Sequence, residues 1–472
     1  MRKTKIICTI GPAVDKPEMI EGLIEAGMNV ARLNFSHGTH EEQLDKIKKI
    51  KQAREKLNAP VAILLDTKGP EIRTKDLDGG VVVLEEGDKF TLVLGDELGN
   101  KNQVAITYED LYKEVHVGDT ILLDDGKIRL EVEEIEDTDI RCVVVRGDKL
   151  GNKKGVNIPG ISLEMEYMSE KDKSDIAFGI KNEIDFIAAS FVRRKQDIKD
   201  LKEFLRSNGG NDIKIIAKLE NEEGVENFKD ILDEADGVMV ARGDMGVEIE
   251  FERLPGIQKR MIAECRKYGK IAITATQMLD SMTEAAFPTR AEITDVANAV
   301  FDGTSAVMLS GETATGKYPV ETVSVMDKIL IQAEEDQAKQ DLTKSVSLYN
   351  RFDIADAVGH AACQAAEDLN AKAIVAVTIS GYTSEKMAKY RPSMPVVSAT
   401  PNKRAYYQQG LVYGVYPILT IYTDNWIELL NESFLSIKRE GFAESGDTVV
   451  ITAGMPLLES GKTNLMRVEQ IG

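Results

Sequence analysis

The residues best able to do chemistry lie between 214 and 250. In Lys214-Ile215-Ile216-Ala217-Lys218-Leu219-Glu220-Asn221 the two-residue period of a strand puts Lys218 and Glu220 on one side, Ala217 and Leu219 on the other. A second apolar run, Gly237-Val238-Met239-Val240-Ala241, leads into Arg242-Gly243-Asp244-Met245-Gly246, where two glycines flank an acid. If the two strands are parallel neighbours, Glu220 and Asp244 emerge at one end and can share a hard divalent cation. Magnesium suits such a site, because it accepts one or two carboxylates and keeps positions for substrate oxygens. Lys218, one pleat deeper, supplies a fixed positive charge. That trio fits phosphoryl transfer, in which positioning and charge neutralisation carry most of the catalysis. The same residues also read as an ordinary ion pair with Asp244 as a turn former, so the rest of the chain has to decide.

Those strands belong to a longer rhythm. Apolar runs over 5–11, 28–36 and 61–69 alternate with amphipathic helices over 17–26 and 41–56, the βαβα pattern of a parallel sheet. From 72 to about 159 the pattern breaks into short runs (80–85, 89–94, 120–123, 128–132 and 141–146) separated by Gly-Asp, Asp-Gly and Gly-Asn turns, which predicts a small inserted all-β module. The rhythm then resumes with strands at 186–192, 214–221, 237–241, 271–276 and 306–310, giving eight in all. Eight parallel strands with interleaved helices predict an α/β fold, a (β/α)₈ barrel, with active-site residues at the strands' C-terminal ends. After a helical run over 319–340 and a linker near 341–349, helices at 354–369, 384–390 and 426–440 alternate with strands at 373–379, 396–398 and 448–453, as in an open α/β sheet. The expected units are 1–70 with 166–340, 71–165, and 341–472.

With 472 residues the chain is too long for one small core. Its formal charge of −20 argues against nucleic acid or an anionic membrane as a standing partner. The basic start Met1-Arg2-Lys3-Thr4-Lys5 precedes only three apolar residues, unlike a signal peptide, and no apolar run is long enough to cross a bilayer. Cys8, Cys142, Cys265 and Cys363 lie far apart without a CxxC and read as reduced core thiols of a cytoplasmic protein.

The strand ends collect further groups: Arg32-Leu33-Asn34-Phe35-Ser36-His37-Gly38, Leu65-Asp66-Thr67-Lys68-Gly69-Pro70-Glu71-Ile72-Arg73, Thr274-Ala275-Thr276-Gln277-Met278 and Met308-Leu309-Ser310-Gly311-Glu312-Thr313. Together with the two strands above, these motifs resemble the pyruvate kinase family over essentially the whole chain, and in particular bacterial members without an N-terminal helical extension. The resemblance implies transfer of the phosphoryl group of phosphoenolpyruvate to ADP, giving pyruvate and ATP, the final step of glycolysis. It implies Mg²⁺, for which Mn²⁺ can substitute, on Glu220 and Asp244. Catalytic roles fall to Lys218, Thr276 and Arg32. Substrate contacts fall to Arg32, Lys218, the Gly243 and Asp244 amides, and Thr276.

Asn34, Ser36, Asp66 and Thr67 offer oxygen ligands with one formal negative charge, which suits a monovalent cation. The family uses K⁺ there, and Glu71 matches its K⁺-dependent members, whereas independent ones carry Lys. ADP is expected against Asn34, Phe35, Ser36, His37, Arg73 and Lys154, with the β module closing as a lid. Either Thr276 through a water or Lys218 can relay the proton to the enolate carbon.

In the last unit, Thr378, Ser380, Gly381, Thr383 and Ser384 join a strand to a helix in a shape that can cradle phosphate. A simply capped helix is the alternative; the resemblance favours an allosteric phosphate site. Gly454-Met455-Pro456-Leu457-Leu458 lacks the Trp and Arg of members regulated by fructose bisphosphate, so AMP or a sugar phosphate is as plausible. A homotetramer is carried over by analogy.

Three signals point elsewhere and fail on inspection. Gly311 to Tyr318 nearly makes a P-loop but has Tyr318 where a Ser or Thr must reach the metal. His37 and His40 lack a third ligand for zinc. Lys46, Lys48, Lys49 and Lys51 read as a solvated helix face. A magnesium-dependent aldolase or lyase acting on pyruvate or its enolate is the runner-up, but it leaves Arg73, Lys154 and the lid idle. A catalytically silent sensor predicts loss of Lys218 or a metal ligand, and both are intact.

Overall fold

The computed structural model describes residues 1–339, 353–459 and 461–472; the expected linker near 341–349 lies outside the described residues. Eight parallel strands close into a barrel: β1 (Lys5–Thr9), β2 (Val30–Asn34), β3 (Ala62–Asp66), β4 (Phe186–Ala189), β5 (Lys214–Leu219), β6 (Gly237–Ala241), β7 (Ile271–Ala275) and β8 (Ala306–Leu309). Each pairs with its successor, and β1 also pairs with β8. The strands are short apolar runs because both faces are covered, by helices outside and by one another inside. Outward residues such as Ile6, Leu33, Ile63 and Leu219 pack against the helices. Inward ones such as Ile7, Leu64, Phe186, Ile216 and Met239 fill the barrel, and that core runs on into Ile374, Val396 and Val415 of the C-terminal unit.

Local signals start the helices where the strands need them. A capping box of Thr39 and Glu42 opens the helix His40–Lys56, and Thr289 with Glu292 opens Arg290–Asp302. The last barrel helix spans Pro319–Lys339.

Between β3 and β4 the chain builds the expected β module. A seven-stranded sheet runs in the order Ile72–Arg73, Gly155–Asn157, Thr120–Leu123, Ile128–Glu136, Asp139–Arg146, Lys89–Val93, Gln103–Ala105, beside a pair formed by Val81–Val83 and Lys149–Gly151. Its own core contains Phe90, Leu92, Ile121, Leu130 and Val144. It also carries one short helix, Leu111–Glu114.

The C-terminal sheet has the order Val415–Leu419, Val396–Thr400, Ala373–Val377, Thr448–Ala453, Leu465–Gln470, the last strand antiparallel. The first and last of these were not foreseen. Val415–Leu419 contains Pro417, which sheets tolerate only at an edge, and this is an edge; Leu465–Gln470 is mostly exposed and carries charges along its length. Cys8, Cys142, Cys265 and Cys363 are all buried and unpaired. Among the described residues no helix is long and apolar enough to cross a membrane.

Candidate active site

At the barrel mouth four charged side chains meet in a region almost closed to water. Asp66 ends β3 at 1% exposure; its Oδ2 accepts from Arg32 Nε at 2.6 Å and its Oδ1 from Lys218 Nζ at 3.0 Å. Lys218 lies 2.9 Å from Glu220 Oε1 as well. Arg32 also donates to Thr9 Oγ1. Burial alone drives the Lys218 ammonium toward neutrality, but the carboxylates of Asp66 and Glu220 outweigh it and hold the amine charged. Burial likewise pushes Asp66 up, and Arg32 and Lys218 more than reverse this, keeping it ionised.

Glu220 and Asp244 leave the barrel side by side, because Leu219 is the cross-strand partner of Val240. They could not have emerged at opposite rims. Asp244 is exposed at the start of the short helix Arg242–Glu248. Burial raises the Glu220 carboxyl; Lys218 offsets part of this and the Asp244 charge adds to it. Arg32 and Lys218 balance Asp66 and Glu220, so Asp244 brings an uncompensated negative charge to the cluster.

Beyond β7, Thr276 (φ +66°) and Gln277 (φ +53°) both adopt the left-handed region. Such non-glycine positions cost on the order of 1–3 kcal/mol each and persist only where surroundings enforce them. Here Arg242 enforces them, donating to Ala275 O and Thr276 O while Asp295 grips it with both carboxylate oxygens. The Thr276 hydroxyl accepts from Gly243 N at 2.8 Å and donates to Ala275 O. The Gly243 amide is therefore satisfied by Thr276, and an anion at this turn has to take its place.

An open cleft of about 220 Å³ lies under the inserted module, with Glu71, Asn157, Phe191, Asp244 and Glu248 on its walls. Asn157 Nδ2 donates to Glu248 Oε1 across it at 3.0 Å. Arg73 pairs with Gly155, directly after Lys154, but each side chain has a partner: Arg73 meets Glu71 at 2.6 Å and Lys154 meets Asp124 at 2.9 Å. Asn34 Oδ1 accepts from Ser36 N, and Gln43 ties down the carbonyls of Asn34 and His37, so this turn is preformed with His37 at the surface. Phe35 is a correction. Its ring is buried against Phe178 and His40, its N–H bonds Asp66 O and its carbonyl accepts from Lys171, so it faces the core and not a nucleotide.

One group in the cluster was not singled out from the sequence. Ser190, just past β4, has its hydroxyl 2.7 Å from Lys218 Nζ. It sits at a strand end like all the others, which is the signal that could have found it.

The family model of the pyruvate kinase barrel domain matches residues 1–323, and that of the pyruvate kinase alpha/beta domain matches 356–469. The chain belongs to the pyruvate kinase family. Over its whole length it is 48% identical to a pyruvate kinase of Geobacillus stearothermophilus, covering 80% of that protein, and 46% identical to one of Clostridium acetobutylicum, covering all of it. The crystal structure of a pyruvate kinase from Cryptosporidium parvum superposes with a TM-score of 0.92 at 39% identity, over 100% of this chain and 96% of that one. Pyruvate kinases are phosphotransferases, and the chain is an enzyme of that class.

For a pyruvate kinase the cation question can be asked of the donors themselves. Glu220 and Asp244 offer hard carboxylate oxygens with surplus negative charge and a carboxyl that burial leaves unstable as an anion; this fits a divalent cation. Asn34 and Asp66 are cross-strand partners, and Thr67 follows directly. Because Arg32 already balances Asp66, that set fits only a weakly charged ion.

The five residues suggested for an effector divide. Thr378 and Thr383 line a small open pocket of about 30 Å³ with Lys462. Ser384 is fully buried and its hydroxyl contacts Gly381 O, Ser398 and Gln409, so it is internal structure. A Cβ on Gly381 would sit 2.1 Å from Gln409 Nε2, which makes it a packing glycine. Ser380 lines a different cavity, shared with Asp212 and Arg404. Ser384, Gly381 and Ser380 are thus corrected out of a single cradle.

Proposed function

We propose that this chain transfers the phosphoryl group of phosphoenolpyruvate to ADP. The bond from phosphorus to the enol oxygen breaks, a bond from phosphorus to an oxygen of the ADP β-phosphate forms, and the enolate left behind takes a proton at carbon to become pyruvate. The observation that carries this reading is the Lys218 ammonium, kept charged in a nearly dry site between Asp66 and Glu220 and next to Arg32.

Lys218 places positive charge where the phosphoryl group passes, and low local polarity strengthens that interaction. Arg32, fixed by Asp66, presents a planar guanidinium to phosphate oxygens. The Gly243 and Asp244 amides and the Thr276 hydroxyl take the substrate carboxylate. The enolate proton comes from Thr276 through a water or from Lys218. Glu220 and Asp244 would hold Mg²⁺ or Mn²⁺, which when bound neutralises charge on substrate oxygens; Asn34, Ser36, Asp66 and Thr67 would hold K⁺. ADP lies by Asn34, Ser36, His37, Arg73 and Lys154, and residues 71–165 close over it as a lid, excluding the water that would otherwise take the phosphoryl group. Thr378 and Thr383 would face an allosteric phosphometabolite such as AMP, a sugar phosphate or fructose bisphosphate, in a C-terminal unit spanning 341–472. The assembly we propose is a homotetramer acting in the cytoplasm.

Formation of pyruvate from phosphoenolpyruvate and ADP, with Mg²⁺, K⁺ and each candidate effector omitted in turn, tests the reaction, its cations and its effector. No pyruvate in the complete mixture refutes the reaction.

A further inference from the structure

We infer that Ser190 is a positioning residue for phosphoryl transfer: its hydroxyl fixes the direction in which the Lys218 ammonium points, while the next residue's amide fixes Glu220. This rests on the reaction proposed above and adds to it a residue that never touches substrate.

Ser190 stands between its two charged neighbours in the barrel, since β4 separates β3, which ends in Asp66, from β5, which carries Lys218. It is 1% exposed. Its Oγ lies 2.7 Å from Lys218 Nζ, 2.7 Å from Thr67 O and 3.0 Å from Asp66 Oδ1. A hydroxyl has one proton and two lone pairs. The carbonyl and the carboxylate can only accept, so the proton goes to one of them and a lone pair is left facing the ammonium. The polarity of this contact is set by its surroundings.

All three N–H groups of Lys218 then have acceptors: Ser190, Asp66 and Glu220. The two carboxylates pull from different strands, and the hydroxyl is the neutral third point that fixes the tripod. Immediately after it, Phe191 takes φ +52°, a strained conformation for a bulky residue. That turn aims the Phe191 N–H at Glu220 Oε2, 2.7 Å away. The Ser190 N–H is in turn held by Thr67 Oγ1 at 3.1 Å. One two-residue turn therefore grips both members of the Lys218–Glu220 pair, by a side chain on one and a main-chain amide on the other. Loss of the hydroxyl leaves the charges in place but frees the ammonium to tilt between two carboxylates. Misplacing a reacting group by about 1 Å can cost about 10²-fold in rate, and this loss falls on turnover because Arg32 and the Gly243 turn still bind substrate.

The test compares kcat and KM for phosphoenolpyruvate in the full chain and in Ser190→Ala and Ser190→Thr, with melting curves run alongside. The expected result is a kcat lowered about 10- to 100-fold in Ser190→Ala, with KM within about threefold of the parent. Ser190→Thr, which keeps the hydroxyl, should recover to within about fivefold of the parent kcat. If Ser190→Ala does not fold, Ser190→Cys takes its place with the same expected loss, a thiol being a weaker acceptor. A kcat in the alanine variant within about threefold of the parent, a change confined to KM, or a threonine variant as impaired as alanine each overturns the inference. Pyruvate formation by the unsubstituted chain separates the two claims: its absence refutes the reaction, whereas its presence with an unaffected Ser190→Ala refutes only the role of Ser190.

Discussion

Lys218 touches Asp66 across a strand that belongs to neither. Nζ and Oδ1 are 3.0 Å apart although β4 lies between their strands. Inward-pointing side chains of alternate strands meet in a barrel's centre, and here one such meeting, at the open end, is ionic. The site is thus built from non-neighbouring pieces of wall.

Lys218→Met removes the ammonium and keeps most of the stem. Asp66 still has Arg32 as a partner, so the fold should survive. Turnover should drop by about 10³-fold or more, while the dissociation constant for phosphoenolpyruvate, followed by a fluorescence titration, stays within about tenfold. Near-parental turnover removes Lys218 from the chemistry.

Glu71 sits 2.6 Å from Arg73, which neutralises its carboxylate. Glu71→Lys replaces that negative charge with a fixed positive one. The ratio of rates with and without K⁺ should fall severalfold, and repulsion from Arg73 should raise KM for ADP. An unchanged ratio removes the charge at position 71 from the dependence on K⁺.

Lys5 is buried at the barrel floor, donating to Val415 O at 2.7 Å, with no carboxylate in ion-pair contact among the described residues. Burial, reinforced by the Arg2 charge and partly offset by Glu334, brings its amine down to about 7. A lysine depressed in the fold binds its proton less well there than in the unfolded chain, so stability rises as pH climbs from about 7 toward 10.5 and is reduced at lower pH. Lys5→Met should therefore raise the denaturant midpoint at pH 7, and the advantage should shrink by pH 10. A midpoint below the parent's at pH 7 contradicts this.

Gly381 has φ +88°, and a side chain there meets Gln409, which also bonds Glu385. Gly381→Ala should destabilise the chain by about 1–3 kcal/mol, read as a lower midpoint in denaturant. An unchanged midpoint shows that Gln409 can swing aside.

All eight barrel strands and their order could be read from apolar runs of the right length, and the candidate site followed from asking what stands at their ends. The approach failed where a residue's role depends on partners far away in the chain. Ala188-Ala189-Ser190-Phe191 carries no charge, and only folding brings Asp66 and Lys218 to that hydroxyl. Phe35 could have been placed correctly, since strand alternation sets it opposite Asn34 and Ser36. The turn at 378–384 misled because Ser and Gly serve internal packing as readily as phosphate. The two- and three-residue strands of the lid are too short to leave a periodic trace.

The inserted module also bears on how the chain assembles. Ile63 and Asp185, which bond across the β3–β4 seam, are 122 positions apart, whereas the other seams up to β8 join segments separated by only one or two α-helices. Such long-range pairing is slow, because loop closure has to precede its reward. During synthesis the first three strands emerge long before the fourth, so the free edge of β3 waits in the open until Phe186–Ala189 arrives, and chaperone demand should concentrate there.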